Sequence, residues 1–279
     1  MRHKFLLRSE ALPDMQDVII DWGDGNYTSL RDTDLSDVGG SEGDWKYTVE
    51  HTYNATGKYI IKIYGKEYFA IISSPVFMSN PDPNIICRIF DRDLPVASHL
   101  RNLSSFARYS QHLTSIYAYN CPSLYNNPIS NFAISIANCF NLQKVEYMPL
   151  PRSYSAISQY FQGNKNLKTI SSFYPTTHNS LYATFDGCVN VEFDISKILE
   201  KFSPVKNSSV NVHAAFRNCK KIYGTVPADK LWNNKDIVWT NTTTCFSGCS
   251  DEIRAQVPIS WGGTASDDII EKSFTEKYN

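Results

Sequence analysis

One phrase recurs along the second half of this chain and limits its fold more than any other feature. An apolar or aromatic residue is followed three positions later by Cys or a polar stand-in, and three or four positions after that by an aliphatic residue. The copies are Phe106–Tyr109–Leu113, Ala118–Cys121–Leu124, Ile136–Cys139–Leu142, Phe161–Asn164–Leu167, Phe185–Cys188–Val191, Phe216–Cys219–Ile222 and Phe246–Cys249–Ile253. Six steps separate position 106 from position 246, about 23 residues each, the size of a unit that adds one short strand and one turn to a stack. Individual spacings run from 12 to 31 residues, so the expected stack is irregular.

The phrase has a simple physical reading. The aromatic residue sits on a short helical turn and packs into the stack. The Cys or Asn sits at a bend and points inward, where a small side chain stacks on its counterparts. Asn can satisfy backbone groups there, and Cys behaves as a small hydrophobe. The following aliphatics, Leu113/Ile116, Leu142/Val145 and Leu167/Ile170, enter a strand that pairs with its neighbour. Cys121, Cys139, Cys188, Cys219 and Cys249, with Asn164, form a structural ladder of this kind. Five of the seven cysteines fall at one repeat position, so reduced, inward thiols explain them better than disulfides or a metal site. Cys87 and Cys245 lie outside the ladder, and Cys245-x-x-x-Cys249 says little about metal.

The F-x-x-C-x-x-L/I phrase resembles the BspA-like leucine-rich repeats. The last units resemble a variant with a Gly-x-Val-Pro turn, at Gly224-Thr225-Val226-Pro227, with Val257-Pro258 closing on Trp261-Gly262-Gly263. The resemblance covers about residues 100–263 and implies an irregular leucine-rich-repeat solenoid. Such repeats are common in surface proteins of gut bacteria, in their phages and in some protists.

Residues 5–77 have a different rhythm: short strand-forming runs cut by turn signals. Phe5-Leu6-Leu7, Met15–Trp22, Lys58–Tyr64 and Tyr68–Ile72 read as strands, and Gly23-Asp24-Gly25-Asn26 as a tight turn. A core centred on Val18, Ile20, Trp22, Tyr53, Tyr59 and Ile61 is expected. Asp21-Trp22-Gly23-Asp24-Gly25, then His51-Thr52-Tyr53 and Gly57-Lys58-Tyr59, resemble the PKD (polycystic-kidney-disease) domain. That implies an immunoglobulin-like sandwich used as a spacer or adhesion module on surfaces. Asp21 and Asp24 either bond backbone N–H groups of their turn or lend oxygens to a cation, which needs about six such ligands.

The expected architecture is mainly β with short helices: an Ig-like sandwich over residues 1–75, a proline-rich linker and cap over 76–99, repeats over 100–263 and a polar tail over 264–279. Ile85–Phe90 reads as a strand capping the first repeat, and Asp267–Lys272 as a short helix.

Charge and motifs narrow the function. Lys plus Arg is 27 against 28 Asp plus Glu, so nothing favours nucleic acid or an anionic membrane as partner. The apolar runs are too short to span a bilayer. No P-loop, dinucleotide fingerprint, H-E-x-x-H or G-x-S-x-G occurs. No enzyme activity and no cofactor are expected. Met1–Leu7 begins like a secretory signal, but the apolar part stops at Arg8-Ser9-Glu10. An exterior architecture without an export signal leads to the expectation of a bacteriophage virion protein, assembled in the host cytoplasm and exposed after lysis. A head fibre, a decoration protein or a tail-associated adhesin fits; a cell-surface adhesin of a gut bacterium is the first alternative and a glycan-active enzyme the second. Expected partners are other virion or surface proteins, further copies of the chain, and a host glycan or protein receptor. Binding is expected on the strand face, at Tyr117, Tyr119, Tyr147, Tyr174, Glu192 and Tyr223, because Tyr couples large contact area to a polar tip. Ser115, Glu146, Ser171, Phe173 and Thr225 are expected beside them.

Overall fold

The computed structural model describes residues 2–9, 18–30, 39–41, 44–55, 57–64, 69–73, 87–89, 100–102, 113–117, 136–146 and 157–268. In strand residues 2–9, 39–41, 44–48, 63, 69–73, 87–89, 100–102 and 117 the description covers the backbone alone. Strands outnumber helices among these residues and are joined by turns, short 3-10 segments and two one-turn helices, with no closed barrel.

The N-terminal part holds two sheets. In the first, β1 (Arg2–Ser9) pairs antiparallel with β5 (Asp44–Thr52), from Arg2 opposite Thr52 to Ser9 opposite Trp45. On the outer side of β5 lies β4 (Gly39–Ser41). Across β1 lies β7 (Phe69–Ser73), antiparallel, and beyond it β9 (Leu100–Asn102), parallel to β7. The second sheet has β2 (Ile19–Asp21) between β3 (Tyr27–Ser29) and β6 (Lys62–Tyr64), both antiparallel. Alternation along β2 buries Ile20 and exposes Ile19, as a strand covered on one face requires.

Val18, Ile20, Trp22, Leu30, Val49 and Tyr53 are each buried. Val49 comes from the first sheet and Ile20 from the second, and at the expected core His51 of the first sheet stacks on Trp22, which follows β2. Tyr59 and Ile61, expected at the centre of that core, are only half-buried. The strand expected over Lys58–Tyr64 starts only at Lys62, which leaves them on irregular chain at the margin.

Downstream the pairing becomes parallel. β8 (Cys87–Ile89), β10 (Leu113–Tyr117), β11 (Lys144–Glu146) and β12 (Thr169–Ile170) lie in the order β8-β10-β11-β12. Thus β8, inside the run expected to cap the first repeat, pairs with β10. Single parallel bridges, Thr169 to Glu192 and Asp194 to Tyr223, carry the pattern onward. A second parallel pair joins β13 (Ser209–Asn211) to β14 (Val238–Thr240), with Ser180 bridged to Asn211. Residues 100–102, at the start of the span expected for the repeats, form β9 beside β7 of the first sheet, ahead of the first copy of the phrase at Phe106.

Two short helices close later repeats. α1 (Ile195–Ile198) is capped by Asp194, whose carboxylate accepts from the Ser196 N–H, and α2 (Asp251–Arg254) by Ser250, whose hydroxyl oxygen accepts from the Ile253 N–H. At the C-terminal end Trp232, Trp239 and Trp261 meet edge to face, with ring centroids 5.3–5.6 Å apart around Trp261. Thr264 and Ala265 donate N–H bonds to Arg254 and Val257, tying the start of the expected tail to the last repeat. The helix expected over Asp267–Lys272 lies largely outside the described residues.

Candidate functional site

The repeated phrase builds a regular interior from Ile136 onward; the copies at 106–112 and 118–124 lie outside the described residues. Its aromatic residues stack in a column. Phe161 on Phe185, Phe185 on Phe216 and Phe216 on Phe246 are 5.3, 5.8 and 5.2 Å apart between centroids, with rings tilted by 19°, 13° and 21°. Each buried Phe contributes roughly 1.5–3 kcal/mol.

Four ladder residues bond to the preceding repeat, whereas the Cys139 thiol donates to the Ala137 carbonyl of its own repeat at 3.8 Å. Cys188 Sγ donates to the Phe161 carbonyl at 3.0 Å, Cys219 to Phe185 at 3.2 Å and Cys249 to Phe216 at 3.1 Å. Asn164 does the same with its amide, donating to the Ile136 carbonyl at 2.7 Å, and its Oδ1 accepts the Cys139 N–H at 2.7 Å. Asn and Cys are therefore interchangeable here as inward donors aimed at one carbonyl. Cys139, Cys188, Cys219, Cys245 and Cys249 are buried free thiols. Burial pushes the thiols of Cys188, Cys219 and Cys245 well above the ordinary cysteine value, and that of Cys249 up to about 12. They stay protonated and unreactive at neutral pH. Cys121 lies outside the described residues.

Two features of this interior were not read from the sequence. The residue before each ladder position has positive φ: Asn138 (58°), Gly163 (75°), Gly187 (76°), Asn218 (62°) and Gly248 (72°). Only Gly and Asn adopt that conformation cheaply, and the run of Asn and Gly at one repeat position was its visible signal. The second feature is a polar pair between repeats. Arg217 Nε and Nη2 donate to the two Asp186 oxygens, both at 2.7 Å. The Asp186 side chain is 8% exposed, and the bond to it raises the pKa of Arg217.

The outward side of the parallel strands is the candidate binding face. Lys144 and Glu146 form a 2.9 Å ion pair on β11. Glu192 is exposed beside Thr169 and pairs with Lys221 at 3.4 Å. Tyr223 is 53% exposed beside Asp194, and Thr225 is exposed nearby. Glu192 and Tyr223 therefore share one face. Tyr117 occupies the last position of β10, opposite Glu146; its side chain, with all of Tyr119 and Tyr147, lies outside the described residues. Tyr174 is 40% exposed but follows the strand rather than lying on it, and Lys201 Nζ sits 5.2 Å from its ring centre. Phe173 corrects the expectation for this face. It is buried, 5.3 Å from Phe161 and 5.2 Å from Phe185, because the chain turns inward after β12. Ser115 is half-buried, and the Ser171 hydroxyl is buried.

At the N-terminal turn the carboxylates serve the backbone. Asp21 Oδ1 accepts the Gly23 N–H at 2.8 Å and Asp24 Oδ1 the Asn26 N–H at 3.1 Å. Asp24 Oδ2 lies 2.7 Å from His51 Nε2. Partial burial would raise the Asp24 pKa, but the His51 and Asn26 bonds outweigh it and hold the carboxyl below its usual value. His51 stacks on Trp22 at 4.8 Å and meets the edge of Tyr53 at 4.7 Å, and the Tyr53 hydroxyl donates to the Trp22 carbonyl at 2.8 Å. The motif thus locks two strands together across a tight turn. Among the described residues no three His, Cys, Asp or Glu side chains are grouped to hold a metal ion, and no helix is long and apolar enough to cross a membrane.

No family model, curated protein or solved structure matches this chain.

Proposed function

We propose that the protein is a non-enzymatic surface recognition or structural module, carried on a bacteriophage virion as a head fibre, decoration or tail-associated adhesin, and that it binds a host-surface glycan or protein. In this reading residues 1–75 are a PKD-like, immunoglobulin-like sandwich and the repeats are an irregular BspA-like leucine-rich-repeat solenoid. The sandwich reading is supported by two antiparallel sheets that each bury a residue, Val49 and Ile20, and by His51 of the first stacked on Trp22 beside the second. The solenoid is supported by parallel pairing between copies of one phrase and by the ladder bonds between them.

One observation carries the recognition role. The interior phrase holds consecutive copies in register, so each copy delivers an outward side chain to the same face: Lys144, Thr169, Glu192, Tyr223. Partners of stacked repeats usually sit on such an extended face. Exchanging an outward residue there leaves the interior untouched, so binding can change without cost to folding. Tyr223→Ala should weaken receptor binding by about 1–2 kcal/mol with an unchanged melting curve. Mass spectrometry of purified virions and of host envelope fractions tests the location. Enrichment in the envelope would favour the cellular adhesin instead.

A further inference from the structure

The repeat face does not account for the outer side of the second sheet. There Tyr27 is 65% exposed, Tyr64 49%, Ile19 42% and Ile60 40%, although an ordinary outer strand face is polar. The register places Asp21 between Tyr27 and Lys62, and Ile19 beside Tyr64. A cleft of about 400 Å³ opens on this side, lined by Asp21, Gly23, Gly25, Tyr27, Lys58, Ile60 and Lys62. Small-ligand sites run from roughly 300 to 1,000 Å³.

The turn glycines shape the cleft. Gly23 has φ +77°, and a Cβ there would meet the Ile60 carbonyl oxygen at 2.6 Å, so the turn lies tight against residue 60. Gly25 has φ +90° with nothing within 4 Å of a Cβ, so the cleft rim beside it stays open. Three kinds of group then converge. Tyr27 and Ile60 offer apolar surface to the C–H face of a sugar ring. Asp21, whose Oδ1 takes the Gly23 N–H, keeps Oδ2 as an acceptor 3.9 Å from Lys62 Nζ. Lys58 and Lys62 outnumber Asp21, which leaves the cleft with one excess positive charge.

We propose that this cleft binds a carboxylated pyranose, such as a uronate residue of an acidic polysaccharide, with the sugar ring against Tyr27 and its carboxylate between Lys58 and Lys62. A neutral glycan would make no use of the excess positive charge. A simple anion would not use the exposed ring. The site is separate from the repeat face, so either can fail alone.

The test is calorimetric titration of the full chain with tetragalacturonic acid, its methyl ester and inorganic phosphate, at low and high salt. The acid should bind, more weakly as salt rises, and the ester and phosphate at least about tenfold more weakly, as loss of a charge-assisted hydrogen bond implies. Tyr27→Ala should weaken acid binding roughly fivefold to tenfold, and the Lys58→Gln/Lys62→Gln pair should bring the acid down to the ester. All three side chains are exposed or half-exposed, so circular dichroism should not change. Gly25→Asn, which keeps a left-handed turn residue but adds a side chain beside the cleft, should also block binding. Tyr223→Ala should leave the acid titration unaffected. Absence of acid binding, equal binding of acid and ester, or full binding by Tyr27→Ala would overturn the proposal.

Discussion

The ladder makes a sharp demand on one thiol. Cys188 is fully buried and its Sγ donates to the Phe161 carbonyl at 3.0 Å. That carbonyl also accepts the Asn164 N–H at 3.3 Å, so removing the thiol does not orphan it. In Cys188→Ser, losing the apolar sulfur costs about 0.8 kcal/mol, as for one methylene. Burying a hydroxyl costs about 1–3 kcal/mol, of which a bond to Phe161 returns about 1. The net expectation is a loss of about 1–3 kcal/mol. Cys188→Val keeps an apolar side chain of similar size but removes the donor, and should also destabilise. Cys188→Asn should cost less than either, because Asn164 already fills the equivalent place: its amide donates to the carbonyl of the repeat before, and its oxygen accepts a ladder N–H. Urea unfolding followed by far-UV circular dichroism gives each value from the midpoint shift and the m-value. A Val variant as stable as the parent, with Asn the worst of the three, would show that the thiol only fills space and would refute the donor ladder.

Four further outcomes are expected. The buried thiols of Cys188, Cys219, Cys245 and Cys249 have raised pKa values, so their contribution is complete below about pH 9 and is lost above it, at about 1.4 kcal/mol per pH unit for each thiol; urea midpoints that stay flat from pH 8 to 11 would contradict this. Arg217→Ala strands the nearly buried Asp186 carboxylate without its two-pronged donor and should cost about 1.5–3 kcal/mol by thermal or urea unfolding. Gly187→Ala should cost only the left-handed penalty of about 1–2 kcal/mol, because its Cβ would meet nothing nearer than Gly163 Cα at 3.7 Å; Gly248→Ala adds a clash with Asn218 Oδ1 and should melt lower still. A fragment of residues 1–103 should unfold cooperatively and at higher temperature than 1–75, since only the longer one carries β9 alongside β7; equal melting temperatures would place β9 outside the stable unit.

The repeat interior was legible because its period is set by chemistry that a sequence displays. A Phe must return to the same depth at every turn of the stack, and the ladder position admits only a small inward donor. Phe161, Phe185, Phe216 and Phe246, with Asn164 and the cysteines, announce themselves by spacing alone. The turn carboxylates were legible in the same way, as Asx-type acceptors next to Gly23 and Asn26. The outward face was less so. The sequence tells which residues follow the phrase, but not how long the strand lasts, and β12 is only Thr169–Ile170. Extending the strand's alternation past its real end put Phe173 outside, whereas the chain bends there and buries it. Contacts between distant positions left no periodic trace. Nothing in the local sequence of Asp24 points to His51, or of Asp186 to Arg217.

The left-handed positions explain why the phrase tolerates such variable spacing. Between Cys188 and Phe216 the chain makes a long excursion through α1 and β13, yet Phe216 still stacks on Phe185 with rings 13° apart. A loop can vary freely only if the segment that follows it is rebuilt identically each time. The Asn or Gly before each ladder residue supplies that reset: its positive φ turns the chain sharply and aims the next side chain at the carbonyl of the repeat before. The N–H of this residue belongs to the same device. Gly163 donates to Asp186, Gly187 to Arg217 and Asn218 to Ser247, so each turn is anchored to the next repeat at 2.7–2.9 Å. The phrase of seven or eight residues is thus the conformationally exacting part of each unit, and the segments between phrases are where length and surface chemistry are free to diverge. In a stack built this way, variation concentrates on the outward strand residues and loops, while the Phe, the Asn or Gly, and the Cys keep the interior constant.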